Sequence, residues 1–170
     1  MNIILYITIP SVIVLLTAYF LLDRMFKAEE KRRDFELSKS HTSIVTPLRL
    51  RAYERMALVL ERTSPQQMVI QIIKPGMTNL ELHTGLLESI RQEFDHNAAQ
   101  QIYISNELWM AVKSARESLI QLVNTCSAQF EGSSSATELG ERILQVYASS
   151  AETPGETALK MLKNEVRNLF

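Results

Sequence analysis

The fold class the sequence predicts is all-α: an N-terminal transmembrane helix followed by a compact cytoplasmic helical bundle. Three observations predict it. Asn2 to Leu22 (NIILYITIPSVIVLLTAYFLL) contains no charged side chain, and all the charge of the chain lies beyond it. Helix-start signals recur after residue 45, each a Ser or Thr and all but Ser105 followed by Pro or by a Glu three residues on. Between those signals apolar residues return every three or four positions, the period of one helical face. Five Gly and five Pro in 170 residues are few, and they count against an all-β or low-complexity chain.

Residues 1–22 read as the span. At ~1.5 Å rise per residue the uncharged run gives a helix near 30 Å long, which matches the hydrocarbon thickness. Pro10 implies a mild kink, and Tyr6 and Tyr19 stand towards the two interfaces. A cleaved signal peptide fits less well, because no basic residue precedes the run and no small-residue cleavage site ends it. Residues 23–45 read as a charged juxtamembrane helix and hinge. Arg24, Lys27, Lys31, Arg32 and Arg33 follow the span, so the positive-inside rule puts the domain in the cytoplasm and the N-terminus outside, with the inner membrane as the location. Glu29, Glu30 and Asp34 dilute the basic cluster and allow pairs such as Glu29–Arg33. A solvated helix therefore explains this stretch better than a headgroup-binding patch does. Ser38 to Ser43 breaks the apolar pattern and reads as the hinge.

Residues 46–170 read as the helical domain, long enough to build its own core. Thr46-Pro47 predicts a helix to Arg62. It carries two apolar stripes, Leu48, Ala52, Met56 and Val59 beside Leu50, Tyr53, Ala57 and Leu60. So wide an apolar arc belongs to a helix central in its domain or packed on a second subunit. Ser64-Pro65 opens a short helix, and Lys74-Pro75-Gly76 is a turn. Thr78 to Glu81 fits a capping box, followed by Leu80, His83, Leu87, Ile90 and Phe94 at helical spacing. Gln101 to Ile104 reads as briefly extended. Ser105 caps a helix whose seam is Leu108, Val112, Ala115, Leu119, Leu122 and Cys126, widened by Trp109, Val123 and Phe130. Ser135 to Glu138 is a second capping box and Thr153-Pro154-Gly155-Glu156 a third helix start. Their apolar faces are Leu139, Ile143 and Val146, and then Leu159, Leu162, Val166 and Leu169.

Little in this pattern carries chemistry, and no catalytic, cofactor-binding or metal-ligating residue is assigned. His41, His83 and His96 do not pair at metal-ligand spacing, and Glu93, Asp95 and His96, although close in sequence, point different ways on a helix. Cys126 lies on an apolar seam with no basic neighbour to lower its pKa, the setting of an inert thiol. Gly132-Ser133-Ser134-Ser135 lacks the Gly-Lys-Ser/Thr ending of a phosphate loop. A net charge of −1 excludes the basic footprint of a nucleic-acid binder. The candidate partner-binding residues are Gln100, Gln101, Tyr103, Asn106 and Trp109, amide and aromatic groups gathered in one stretch. The same rings also suit a loop that covers the core, which is the commoner use of aromatic side chains.

The uncharged N-terminal run, TPLRLRAYERMALVLER (Thr46 to Arg62), EFDHNAAQQIYIS (Glu93 to Ser105) and the Trp109 helix together resemble an uncharacterised family of single-span membrane proteins of the Bacteroidota. That resemblance implies a compartment and an architecture and carries over no site residue. The expected role is a membrane-anchored, non-enzymatic adaptor or accessory subunit acting through helices. Its partners would be membrane lipid and either another protein or a second copy. The alternatives are an enzyme whose site is assembled from distant residues, and a structural stalk of a membrane complex.

Overall fold

A computed structural model describes the backbone of residues 2–169; residues 1 and 170 and the side chains of 2–14, 34, 37, 38 and 40–42 lie outside the described residues. Every regular element described is helical. The α-helices are α1 (Asn2–Arg62), α2 (Pro65–Ile72), α3 (Asn79–His96), α4 (Asn106–Ser127), α5 (Ala136–Ala148) and α6 (Pro154–Arg167), with a 3-10 helix over Ala98–Ile102. The chain divides into two compact units, Met1–Pro47 and Leu48–Phe170.

The all-α expectation holds, and its transmembrane component is corrected. Among the described residues no helix is long and apolar enough to cross a membrane. The described apolar part of the expected span is Leu15 to Leu22, about two helical turns where a span needs about 20 residues. Beyond it α1 is densely charged, with exposed pairs at one-turn spacing, Asp23 with Lys27 at 2.8 Å and Arg32 with Glu36 at 3.0 Å. Such pairs add little stability because water screens both partners. The rest of the expected span, with Tyr6 and Pro10, falls on side chains outside the described residues.

The backbone is helical from Asn2 to Arg62, so Thr46-Pro47 opens no new helix. Proline lacks the N–H that would continue the ladder, yet its fixed φ is already helical, and the division between the two units falls directly after Pro47.

In the second unit, α4 packs on α3, α5 and α6, and α3 also packs on α2 and α5. The core gathers Tyr53, Met56 and Val59 of α1, Leu82, Leu86 and Ile90 of α3, Leu108 and Val112 of α4, and Leu139 and Ile143 of α5, all nearly inaccessible to solvent. Full burial of one such side chain is worth about 1.5–3 kcal/mol, so this shared interior is what makes the short helices α2, α5 and α6 stable. On α5, Gly140 lets α2 approach closely, because a Cβ there would lie 3.0 Å from the side chain of Val69.

Capping decides where the helices start. Thr78 and Thr153 each accept a bond from the N3 backbone while Glu81 and Glu156 reach back to the cap, two complete capping boxes. Ser105 accepts from the Leu108 amide. Ser135 accepts from the Thr137 amide without the reciprocal Glu138 bond, so the second expected box is a simple cap. Gly76, at φ +80°, makes the turn before α3.

Two local expectations shift. The buried face of α3 is Asn79, Leu82, Leu86, Ile90 and Phe94, whereas Leu80 is exposed and His83 half-buried. Leu80, on the first turn of α3, and Leu82 are both apolar, and the packing of α2, α4 and α5 around α3 selects the second. The stretch expected to be extended belongs to the 3-10 helix up to Ile102, whose bonds from Gln100 N to Asn97 O and from Tyr103 N to Gln100 O are local. No neighbouring strand exists among the described residues to pair with it.

Candidate functional site

The sequence-chosen cluster lies where the 3-10 helix meets α4. Gln100 and Gln101 are in the 3-10 helix, Tyr103 ends it, and Asn106 and Trp109 lie in the first turn of α4. Gln101 and Asn106 are exposed, while Gln100, Tyr103 and Trp109 are half-buried. Both rings pack against the core. The open apolar surface of this corner instead comes from two neighbours, Ile102 at 73% exposure and Met110 at 53%. Sequence reasoning missed both, because an isolated Ile or Met gives no signal of which way it faces. Asn106 and Met110, four residues apart, share one face of α4.

A polar cluster fixes the corner from behind. Arg49 Nη2 donates to Tyr53 Oη at 2.9 Å, and Tyr53 Oη donates in turn to Glu165 Oε2 at 3.0 Å. Ser105 Oγ donates a short bond to Glu165 Oε1, and the Ser105 amide reaches Glu165 Oε2 at 3.4 Å. Arg49 Nε donates to the Tyr103 carbonyl at 3.2 Å, and the guanidinium sits 5.8 Å from the centroid of the Tyr53 ring. One carboxylate of α6 thereby grips the N-terminal cap of α4, where the helix dipole favours negative charge. One arginine of α1 holds the carbonyl that ends the 3-10 helix. Burial pushes the Tyr53 hydroxyl above its ordinary value; the Arg49 bond opposes this and the Glu165 bond adds to it. It therefore acts as a neutral donor to the carboxylate. The cluster joins residues up to 112 positions apart, and no local pattern in the sequence announced it.

The remaining chemical candidates stay apart. Glu93 faces Arg62 at 3.7 Å and Asp95 faces Arg116 at 3.4 Å, each in its own ion pair, and His96 is exposed. His83 Nε2 lies 2.8 Å from Asn124 Oδ1. Among the described residues no group of three His, Cys, Asp or Glu side chains could hold a metal ion, and His41 lies outside the described side chains. Cys126 is buried, and burial pushes its thiol up, away from the reactive thiolate. The Gly132–Ser135 loop directs carbonyl oxygens at α3: Gly132 O accepts from the Leu80 amide and Ser134 O from the Asn79 amide. This is the opposite polarity to a phosphate cradle, which offers N–H groups.

A family model matches residues 1–169. The chain belongs to DUF7935, a family of unknown function. No curated protein and no solved structure matches it.

Proposed function

We propose that this protein is a non-enzymatic adaptor or accessory subunit that engages a protein partner through the corner formed by the 3-10 helix and the start of α4. The observation that carries this reading is that Ile102 and Met110 are exposed on either side of a backbone that Arg49 and Glu165 bond at Tyr103 and Ser105. A preordered apolar patch loses little conformational entropy when it is covered. Half-open Tyr103 and Trp109 supply the aromatic edge favoured at binding hot spots, and Gln101 and Asn106 supply a polar rim. The partner suited to it is an apolar helix face with amide or hydroxyl groups at its border.

Site-specific photocrosslinking tests the proposal. A crosslinker at Gln101 in the full chain, in its native host, is expected to capture one discrete partner, and Ile102→Asp together with Met110→Asp should abolish that adduct. A crosslinker at Glu117, further along α4, serves as the control. Adducts of equal yield from both positions, or an adduct that survives the double substitution, would overturn the reading. Sedimentation of the purified protein then tells whether the captured partner is a second copy.

A further inference from the structure

A second concave feature lies away from that corner. The end of α1, the middle of α4 and the connection between α5 and α6 line a pocket of about 190 Å³ that opens to solvent. Its walls are apolar where Leu60, Leu119 and Leu122 meet, and hydroxyl-bearing where Ser64, Ser118 and Tyr147 enter. No charged side chain lines it.

Some of its polar groups are committed to the fold. Thr63 Oγ1 donates to the Val59 carbonyl at 2.7 Å, and Tyr147 Oη lies 3.4 Å from Thr153 Oγ1. Thr153 Oγ1 also accepts from the Glu156 amide as the cap of α6. Ser64 differs, because it occupies the N-cap of α2 without forming a side-chain cap bond. A hydroxyl in a cap position that does not cap is available to a ligand.

Size and polarity then define the occupant. An apolar cavity of about 150 Å³ admits one benzene-sized ring, so this pocket has room for one ring and a substituent. A charged ligand would give up part of its hydration to a wall with no countercharge. A purely apolar ligand would strip water from the serine hydroxyls without replacing its bonds. We infer that this pocket is a binding site for a small uncharged ring compound carrying a hydroxyl, of the size and polarity of phenol.

The test is a titration of phenol into the ¹⁵N-labelled full-length protein. Saturable shifts are expected at the amides of Ser64, Ser118, Leu119 and Tyr147. Benzoate, of similar shape but charged, should bind at least about tenfold more weakly, a difference of ~1.4 kcal/mol. Ser118→Phe fills the space and should abolish the saturable shifts. Should that variant unfold, Ser64→Ala, an exchange at the surface of the pocket, is expected to weaken phenol binding severalfold while benzoate stays weak. Non-saturable shifts, shifts mapping elsewhere, equal affinity for benzoate, or phenol binding unchanged in the folded pocket variants would each overturn the assignment.

Discussion

The polar cluster around Asn79 is neutral and lies inside the bundle, whereas the one around Glu165 is ionic and lies at its edge. Asn79, 2% exposed, donates through Nδ2 to the carbonyls of Ser127, Phe130 and Glu131 at 3.1–3.4 Å and accepts from Ser127 Oγ at 3.0 Å. Its amide and that of Leu80 bond to the same loop, and the Ala136 amide returns a bond to the Met77 carbonyl. One side chain thus bonds the last carbonyl of α4 and two carbonyls of the loop that follows it, while that loop supplies partners for the first amides of α3, which a helix cannot satisfy by itself. Glu165 instead brings a charge to a helix N-terminus and balances it with hydroxyl, amide and, through Tyr53, guanidinium. The difference teaches a division of labour. The neutral cluster closes the fold and should ignore pH, whereas the ionic one positions a surface and should respond to pH through Tyr53.

The largest expected effect comes from breaking the first cluster. Asn79→Leu keeps the bulk but takes a donor from the Phe130 carbonyl and the acceptor from the Ser127 hydroxyl, while the Phe130 and Ser134 amides still serve the Ser127 and Glu131 carbonyls. With about 1–3 kcal/mol for a buried polar group left unpaired, a loss of about 2–3 kcal/mol is expected, or about 4–12 °C in melting temperature for a domain of this size. Calorimetry at pH 5 and pH 8 should return the same loss at both. A loss that depends on pH would break the contrast between the two clusters.

How much of this was legible in the sequence follows from range. The caps at Thr78, Ser105 and Thr153 were readable because a cap and its partner lie within three residues. The seam Leu108, Val112, Ala115, Leu119, Leu122 and Cys126 was readable because one helix face repeats locally; Leu119 and Leu122 are half-buried against the core and the other four are buried. Asn79 was invisible. It sits between a capping Thr and a Leu, and its partners are 48 to 52 residues away. Local periodicity found Ile90 and Phe94 of the buried face of α3 but took Leu80 in place of Leu82 at its start, since the two are equivalent until α2, α4 and α5 pack around them. The surface cluster was half-legible for the same reason. Tyr103 and Trp109 announce themselves by type, but only packing shows that their rings turn inward and leave Ile102 outside.

A moderate effect is expected at the second cluster. Tyr53→Phe removes the hydroxyl that links Arg49 to Glu165, at about 1 kcal/mol. The pKa of Tyr53 is raised in the folded state, chiefly by burial. The folded protein therefore holds this proton more tightly than the unfolded chain. That contribution is fully present below the ordinary tyrosine value and is lost as pH rises through the folded one. The stability gap between wild type and Tyr53→Phe should accordingly be constant near neutrality and narrow in strong alkali. Denaturant melts at pH 7 and above pH 10 would show it. A gap that widens with pH would mean that Tyr53 is stabilised as the anion, and would overturn the neutral-donor role.

The smallest expected effect sharpens the comparison on the acid side. Glu81 and Glu156 both hold their carboxyls below the ordinary carboxylate range, first through the backbone N–H of Thr78 and of Thr153 and then through those threonine hydroxyls. Each carboxylate accepts at 2.8 or 2.9 Å from the cap backbone, and a charged acceptor makes that bond stronger than a neutral one. The sign is opposite to that of Tyr53. A depressed folded pKa gives stability that is present above the ordinary carboxylate value and is lost as pH falls through the depressed one. Replacing both residues with Gln keeps an acceptor at each cap and removes the titration. The double variant should therefore melt slightly below wild type near neutrality, and the difference should vanish at the acid end. Both carboxylates are open to solvent, so the effect should be smaller than that of Tyr53→Phe. Thermal melts followed by circular dichroism between pH 2 and pH 7 would decide it, and a difference that persists in strong acid would show that the amide disturbs the caps for a reason other than charge.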